Sequence, residues 1–283
     1  MSLKKSLLYP FAKLFFAGLT LNDALWRAKY LNSRGIGATI DFLGEDVSDG
    51  TEARQAKEEY RRAIGAVSAG SLDASLAIKL SHVGMVIDPA LAGGLALELA
   101  AEARDKHVFL WVDMEGSRYT DGTMEIFRKL REIQPESGIA LQAYLKRTPD
   151  DLRALTAEGA AVRLVKGAYN EPPEIALQDM RGIRAQYVEM AEYLFANSRS
   201  FAVGTHDRIL VERVLGLSKG YTGAVEFQML MGMRDDLKRR LTGLGKRVVE
   251  YVPYGSDWYG YGVRRLKEKR RNLLYFAQGL FGR

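Results

Sequence analysis

Near the end of the chain, two adjacent arginines follow a dense run of aromatic side chains. Arg264 and Arg265 form the pair, and a guanidinium group binds a carboxylate through two hydrogen bonds in a rigid geometry. Aromatic walls beside it suit a small, partly apolar carboxylate. An aromatic core followed by a solvated basic helix explains the same spacing equally well. The aromatic residues, all within positions 251–261, are Tyr251, Tyr254, Trp258, Tyr259 and Tyr261.

These residues follow the last of eight short β-rich segments, and helical patterns separate the segments. Eight strand-helix units predict an α/β fold, a TIM-type (β/α)8 barrel, with an open doubly wound sheet as the alternative. We expect accessory helices in residues 1–36 and the catalytic barrel in residues 37–283. The predicted strands are residues 38–44, 74–81, 108–115, 139–144, 162–167, 201–206, 224–230 and 248–254. The predicted helices between them include residues 52–67, 89–104, 123–133, 150–158 and 174–197.

The composition excludes several kinds of chemistry. The 283 residues include no cysteine, so the chain offers no disulfide, thiolate nucleophile or zinc-cysteine site. Its three histidines lack metal-ligand spacing, so we expect no metal. No phosphate-binding loop of the usual dinucleotide or nucleotide type occurs, so any cofactor must be held differently. The net charge of +6 is local, because six basic residues lie in positions 264–271. This basic segment leaves open a non-enzymatic module that binds nucleic acid or lipid, although no nucleic-acid recognition motif is present.

The N-terminal residues show apolar side chains at helical spacing. Leu7, Phe11, Leu14 or Phe15, and Gly18 recur on one face and predict an amphipathic helix. Pro10 and Lys13 interrupt the apolar stretch, so neither a secretory signal nor a membrane span is favoured. We expect this face to pack on the body of the protein in preference to a bilayer.

Polar residues end nearly every predicted strand, where a barrel of this type carries its chemistry. Three cations, Lys79, Arg264 and Arg265, are expected to meet at the mouth, and at least one of them should face an anionic group. Alternatively they neutralise nearby carboxylates. Lys79 and Lys166 each also fit a Schiff-base lysine of a barrel aldolase. The strand-end residues are Glu45, Lys79, Asp113, Glu115, Gln142, Arg163, Lys166, Thr205, His206 and Gln228.

Ordered motifs along nearly the whole chain resemble those of the monofunctional bacterial proline dehydrogenases, which are flavoenzymes with a (β/α)8 barrel. One such motif is weak, but eight in barrel order are specific. They are Asp-Phe-Leu-Gly-Glu (41–45), Ile-Lys-Leu-Ser (78–81), Val-Asp-Met-Glu (112–115), Leu-Gln-Ala-Tyr-Leu (141–145), Arg-Leu-Val-Lys-Gly-Ala-Tyr (163–169), Thr-His-Asp (205–207), Glu-Phe-Gln-Met-Leu (226–230) and Tyr-Val-Pro-Tyr-Gly (251–255) with Tyr-Gly-Val-Arg-Arg-Leu (261–266).

The resemblance implies a role for each matching residue. It implies Asp113, Arg163 and Tyr251 as catalytic residues, and Glu45 as a gate that pairs with Arg264. The residues implied for proline binding are Lys79, Arg264, Arg265, Tyr261, Leu230, Tyr169 and Tyr251. Those implied for FAD binding are Met114, Gln142, Arg163, Lys166, Gly167, Ala168, Thr205 and His206.

The resemblance also implies a reaction and partners. We expect oxidation of L-proline to Δ1-pyrroline-5-carboxylate by hydride transfer to flavin N5, as the first step of proline catabolism to glutamate. In the family, a membrane quinone takes the electrons, and coupling to a pyrroline-5-carboxylate dehydrogenase is open. We expect a cytoplasmic protein and leave open its peripheral attachment to the inner face of the cell membrane.

Overall fold

Eight parallel strands form a closed barrel in the computed structural model, which describes residues 3–266. Each strand pairs with the next along the chain, and β8 pairs with β1 in register, with Thr39 opposite Tyr251. The closed ring confirms the predicted (β/α)8 barrel and excludes the open sheet. The strands are β1 Gly37–Phe42, β2 Ala74–Ile78, β3 Leu110–Val112, β4 Ser137–Gln142, β5 Ala161–Val165, β6 Ser200–Gly204, β7 Ala224–Leu230 and β8 Arg247–Tyr254.

Helices surround the barrel and precede it. Two short helices, Arg208–Leu217 (α8) and Asp235–Gly243 (α9), are not among the helical segments named from the sequence. Each buries only a few side chains, so its helical pattern is weak. The helices are α1 Leu3–Ala12, α2 Leu21–Asn32, α3 Gly50–Ala69, α4 Pro89–Asp105, α5 Thr120–Ile133, α6 Thr148–Ala157, α7 Met180–Asn197, α8 Arg208–Leu217 and α9 Asp235–Gly243, with single 3-10 turns at Ser81–Val83 and Ser117–Tyr119. Residues 258–266 are also helical and are called the arginine helix below.

Most strands end earlier than their β-rich sequence predicts. The segment predicted over 74–81 leaves the sheet after Ile78, and the one predicted over 108–115 leaves it after Val112. The residues beyond each strand form the loops of the barrel mouth. Since side chains alternate along a strand, Thr39 and Asp41 of β1 both face the interior.

The predicted packing of the N-terminal apolar face is confirmed only in part, because Phe15 and Gly18 are buried while the other members of the face are exposed. Leu7, Phe11 and Leu14 are 68%, 59% and 53% exposed, whereas Phe15 and Phe16 are fully buried. The cause is the end of α1 at Ala12, after which the chain turns and presents a different set of side chains to the barrel. No helix among residues 3–266 is long and apolar enough to span a bilayer.

The basic segment that suggested nucleic-acid or lipid binding is described only in part. Arg264 and Arg265 lie in the arginine helix, while the remaining basic residues of positions 267–271 fall outside the described residues.

Candidate active site

A cavity of about 290 Å³ opens at the C-terminal end of the strands. The structure brings every predicted site residue to its lining, although their roles stay predictions. Six further lining residues had been assigned no role from the sequence. The predicted residues are Glu45, Lys79, Asp113, Met114, Gln142, Arg163, Lys166, Gly167, Ala168, Tyr169, Thr205, His206, Leu230, Tyr251, Tyr261, Arg264 and Arg265, and the further ones are Asp41, Leu43, Ala140, Val165, Gly204 and Gln228.

The inner wall of the cavity carries a chain of alternating charges. Lys79 donates to Asp41 on the neighbouring strand, and its Nζ lies 3.6 Å from Oδ2 of Asp113. Asp113 also accepts a charged hydrogen bond from Arg163 and another hydrogen bond from the hydroxyl of Tyr251, at 2.5 Å. Two cations and two carboxylates therefore balance each other within this buried network.

Burial and neighbouring charges set the protonation of the network. Burial raises the pKa of Asp113, but Arg163 and Lys79 outweigh it and hold the pKa below its ordinary value. Burial lowers the pKa of Lys79, yet Asp41, Tyr251 and Asp113 raise it further, and the net pKa lies well above its ordinary value. Lys79 is therefore protonated at neutral pH. This argues against Lys79 as a Schiff-base nucleophile, which needs a lowered pKa.

Asp41 is a component of the network that sequence reasoning did not assign. Its side chain is buried, and burial raises its pKa while Lys79 partly offsets that effect. The signal was present in the sequence, because Asp41 is the sole charged residue of the strand Gly-Ala-Thr-Ile-Asp-Phe. A carboxylate in the middle of a buried strand needs a cationic partner, and Lys79 is that partner.

The guanidinium of Arg163 is held on several sides. Besides its bond to Asp113, it donates to Oε1 of Gln228 at 3.2 Å. Its Cζ lies 4.9 Å from the ring centroid of Trp111 and 5.5 Å from that of Tyr251. A cation between two aromatic rings gains electrostatic attraction from both, so Arg163 is fixed at the floor of the cavity.

The arginine pair lies at the outer rim. Arg264 Nη2 is 3.4 Å from Oε1 of Glu45, which follows β1, so the gate pairing implied by the resemblance is geometrically available. The Arg265 guanidinium lies over the ring of Tyr261, 5.5 Å from its centroid. Both arginines line the same cavity as Lys79, which brings three cations to one mouth.

The loop after β5 can accept a planar ring against its backbone. Gly167 has a φ of +118°, and a Cβ there would lie 2.1 Å from the ring of Tyr144, so only glycine fits. The amide of Ala168 lies 3.4 Å from Oε1 of Gln142, and Lys166 lies 3.5 Å from Oδ2 of Asp207. A bare backbone edge, an amide side chain and a cation suit a flavin and its phosphates.

His206 acts through its neighbours. Its Nε2 accepts a hydrogen bond from the backbone amide of Leu230 at 2.9 Å, and its carbonyl accepts one from Arg234 at 3.2 Å. Burial, with several nearby cations, lowers the pKa of His206 to about 3. The imidazole is therefore neutral at physiological pH, and it fixes the position of Leu230 at the cavity wall.

The fold and the site define an enzyme of the (β/α)8 barrel class whose mouth combines an anion-binding side with a glycine-lined side. The chain matches the proline dehydrogenase family over residues 24–276. It is 33% identical over 272 residues to Proline dehydrogenase 1 of Bacillus subtilis subsp. natto, covering 95% of this chain and 90% of the relative. It is 32% identical over 289 residues to Proline dehydrogenase of Deinococcus radiodurans, covering 98% and 92%. The chain belongs to the proline dehydrogenase family.

Solved structures agree with this family at the level of the fold. The structure of proline utilization A (PutA) from Bdellovibrio bacteriovorus inactivated by N-propargylglycine matches with a TM-score of 0.85 and 24% identity, over 93% of this chain. A mutant PutA from Bradyrhizobium japonicum matches with a TM-score of 0.78 and 25% identity, over 89% of this chain. The chain spans 33% and 30% of those longer proteins.

Proposed function

We propose that the protein oxidises L-proline to Δ1-pyrroline-5-carboxylate, with bound FAD supplying the hydride acceptor at its N5 atom. The observation that carries this proposal is the meeting of Lys79, Arg264 and Arg265 with the rings of Tyr251 and Tyr261 in one cavity. Three cations suit one carboxylate, and the aromatic rings suit a pyrrolidine. Membership of the proline dehydrogenase family supports the same reaction.

In this proposal the protein contributes orientation more than acid-base chemistry. The lowered pKa of Asp113 makes it a poor proton acceptor at neutral pH, so we assign it to holding Lys79 and Arg163. The arginine pair binds the carboxylate from the rim while Tyr169, Leu230, Tyr251 and Tyr261 enclose the ring. Fixing a substrate beside its acceptor replaces a bimolecular encounter and removes much of the activation barrier.

The cofactor side of the proposal uses the residues around Gly167. Lys166, Gly167 and Ala168 would hold the cofactor with Met114, Thr205 and His206, while Gln142 and Arg163 would lie nearest its ring. Lys166→Ala should reduce flavin retention more than proline specificity, measured as flavin absorbance per protein after gel filtration. Full flavin occupancy in that variant would contradict the assignment.

Glu45 is proposed as the gate of the same site. It pairs with Arg264 across the rim and would keep the arginine helix over bound substrate. A rim contact that opens admits substrate, and the same contact excludes water from the site when it closes.

We further propose that a membrane quinone accepts the electrons and that the protein sits in the cytoplasm at the inner face of the membrane. The exposed side chains of Leu7, Phe11 and Leu14 support the membrane attachment, because they leave apolar surface open to solvent near Lys13. Sedimentation with anionic lipid vesicles tests it, and Leu7→Asp with Leu14→Asp should abolish binding. Equal sedimentation of that variant would contradict the proposal.

Coupling to a pyrroline-5-carboxylate dehydrogenase is also proposed. The chain is 28% identical to the Bifunctional protein PutA of Escherichia coli, and it covers 23% of that protein. The product of the proposed oxidation is the substrate of such a dehydrogenase, which is why it is the proposed partner.

An anaerobic visible spectrum tests the main reaction. Purified protein should show a flavin spectrum that bleaches when L-proline is added, and D-proline serves as the control. A folded protein that stays colourless after FAD is supplied would overturn the proposal. In that case, borohydride trapping with carbonyl substrates would test the Schiff-base alternative at Lys166.

A further inference from the structure

Residues 9–18, called the N-terminal strap below, lie across the arginine helix. The two backbones approach closely, because a Cβ on Gly262 would lie 2.7 Å from the Cβ of Ala12. The ring of Phe16 is stacked on the indole of Trp258, with 5.7 Å between centroids and 1° between planes. Tyr9 contacts the same indole edge-on at 5.1 Å. Since Trp258 and Gly262 are four positions apart, the strap covers one face of the helix.

The strap is tied to the barrel independently of the arginine helix. The amide of Ala17 donates to the carbonyl of Pro253 at 2.8 Å, and the amide of Gly255 donates to the carbonyl of Gly18, the last residue of the strap, at 3.0 Å. In the loop after β7, Gly232 faces the carbonyl of Leu14 so closely that a Cβ would lie 2.0 Å from it. These contacts fix the strap to the C-terminal ends of β7 and β8.

The arginine helix belongs to a small hydrophobic cluster that is separate from the main core. The strap supplies three of the seven buried residues of this cluster, which are Ala12, Phe15, Phe16, Leu43, Met233, Trp258 and Tyr261. The helix contributes Trp258 and Tyr261 to the cluster, and Leu266 at its end packs against it, so the segment that carries Arg264 and Arg265 lies between residues held by the cluster. Its position over the cavity therefore depends on packing against the strap.

We propose that Phe16 is a positioning residue for substrate binding, because it holds Trp258 and thereby sets where Arg264 and Arg265 stand over the cavity. This inference rests on the proposed function. Removing the ring of a fully buried residue leaves a cavity into which neighbours shift. A displaced guanidinium loses the two-bond geometry that a carboxylate requires, and the weaker binding of the carboxylate raises KM.

The test compares two aromatic deletions in the full-length flavin-loaded protein. Phe16→Ala should raise KM for L-proline roughly tenfold, with a much smaller change in kcat and unchanged flavin content. Trp26→Ala is the control, since it removes an aromatic side chain of the N-terminal region that is 68% exposed. An artificial soluble electron acceptor is used without vesicles. Equal KM values for the two variants would overturn the proposal.

Two further variants separate positioning from a general loss of structure. Phe16→Leu keeps most of the apolar volume and should give a KM between those of the wild type and Phe16→Ala. Its KM remains measurable if Phe16→Ala does not fold. In an Arg264→Met background, adding Phe16→Leu should raise KM less than in the wild type, because one of the two guanidinium groups that Phe16 positions is already absent. Full additivity would contradict the proposal.

The outcome for the wild type distinguishes this inference from the proposed function. A wild-type flavin spectrum that L-proline does not bleach refutes the function. Bleaching in the wild type, together with an unchanged KM in Phe16→Leu and Phe16→Ala, refutes the inference alone.

Discussion

The inner wall and the outer rim of the barrel mouth carry charge in different ways. On the inner wall, the side chain of Lys79 is 9% exposed and that of Arg163 is 4% exposed, and carboxylates contact both. At the rim, the side chain of Arg264 is 52% exposed, and its contact with Glu45 measures 3.4 Å. The charges of the inner wall are buried and each contacts an opposite charge, whereas the Arg264–Glu45 pair of the rim is open to water.

This difference indicates separate roles for cations that the sequence places in one group. A cation matched by two buried carboxylates attracts an incoming anion less strongly than a cation of the rim does, and it also keeps the network rigid. A half-exposed arginine can exchange its partner at small cost. We therefore expect inner-wall substitutions to affect folding first and rim substitutions to affect substrate binding first.

The largest effect is expected for Lys79→Met. The change leaves Asp41 buried without its cation, and breaking a buried pair in this way costs about 3–5 kcal/mol in the free energy of unfolding. Urea unfolding of the flavin-free protein measures it. Lys129→Met is the control, because its pair with Glu125 is exposed and should cost under about 0.5 kcal/mol. Similar losses of unfolding free energy in Lys79→Met and Lys129→Met would show that the buried pair of the inner wall contributes no more than an exposed pair.

A double variant sharpens this prediction. Asp41→Asn combined with Lys79→Met removes both charges, so it should recover part of the stability lost in Lys79→Met alone. Further destabilisation of the double variant would show that Asp41 does not depend on Lys79.

The second prediction concerns Glu115, a buried carboxyl that accepts hydrogen bonds from the amide and hydroxyl of Ser81. Burial raises its pKa to about 7. The folded protein therefore keeps this proton more strongly than the unfolded chain does. The stability that Glu115 contributes is full below its unfolded pKa, near 4.5, and is lost as pH rises through about 7.

Glu115→Gln should remove this contribution. The stability of the wild type relative to the variant should fall by roughly 3 kcal/mol between pH 4 and pH 8. The comparison is made at each pH, because the lowered pKa values of His82 and His206 act in the opposite direction in both proteins. A constant difference across that range would show that folding does not raise the pKa of Glu115.

At the rim, Arg264→Met should weaken proline binding by about 1.5–3 kcal/mol, the usual contribution of a hydrogen bond to a charged group. Glu45 remains hydrated when its partner is lost, so the midpoint of thermal unfolding should change little. The dissociation constant of an unreactive cyclic carboxylate measures binding. The affinity of Arg264→Lys should fall between those of the wild type and Arg264→Met, because lysine keeps the charge but cannot form the two parallel hydrogen bonds of a guanidinium group. Unchanged affinity in Arg264→Met would show that Arg264 does not bind the carboxylate.

The contrast between wall and rim also separates what the sequence could and could not predict. The barrel followed from eight β-rich segments, and the site followed from the rule that chemistry lies at strand ends. Sequence position alone could not show that Lys79 is matched by Asp41, since 38 residues separate them and the contact exists only across paired strands. The N-terminal apolar face was predicted only in part, because α1 ends at Ala12 and the helical spacing that grouped Leu7 and Phe11 with Phe15 does not continue past it.

The smallest effect is expected for Gly167→Ala, which tests whether the cofactor side of the rim depends on backbone shape. Alanine at a positive φ costs about 1–2 kcal/mol, and its Cβ would meet the ring of Tyr144. We expect weaker flavin retention, measured as the flavin released during gel filtration. Gly216→Ala is the matched control, since this helical glycine has no neighbour within 4 Å of an added Cβ and alanine favours the helix. If both variants retain flavin equally, the β5 loop does not hold the cofactor through its backbone, and side chains such as Lys166 must carry that role.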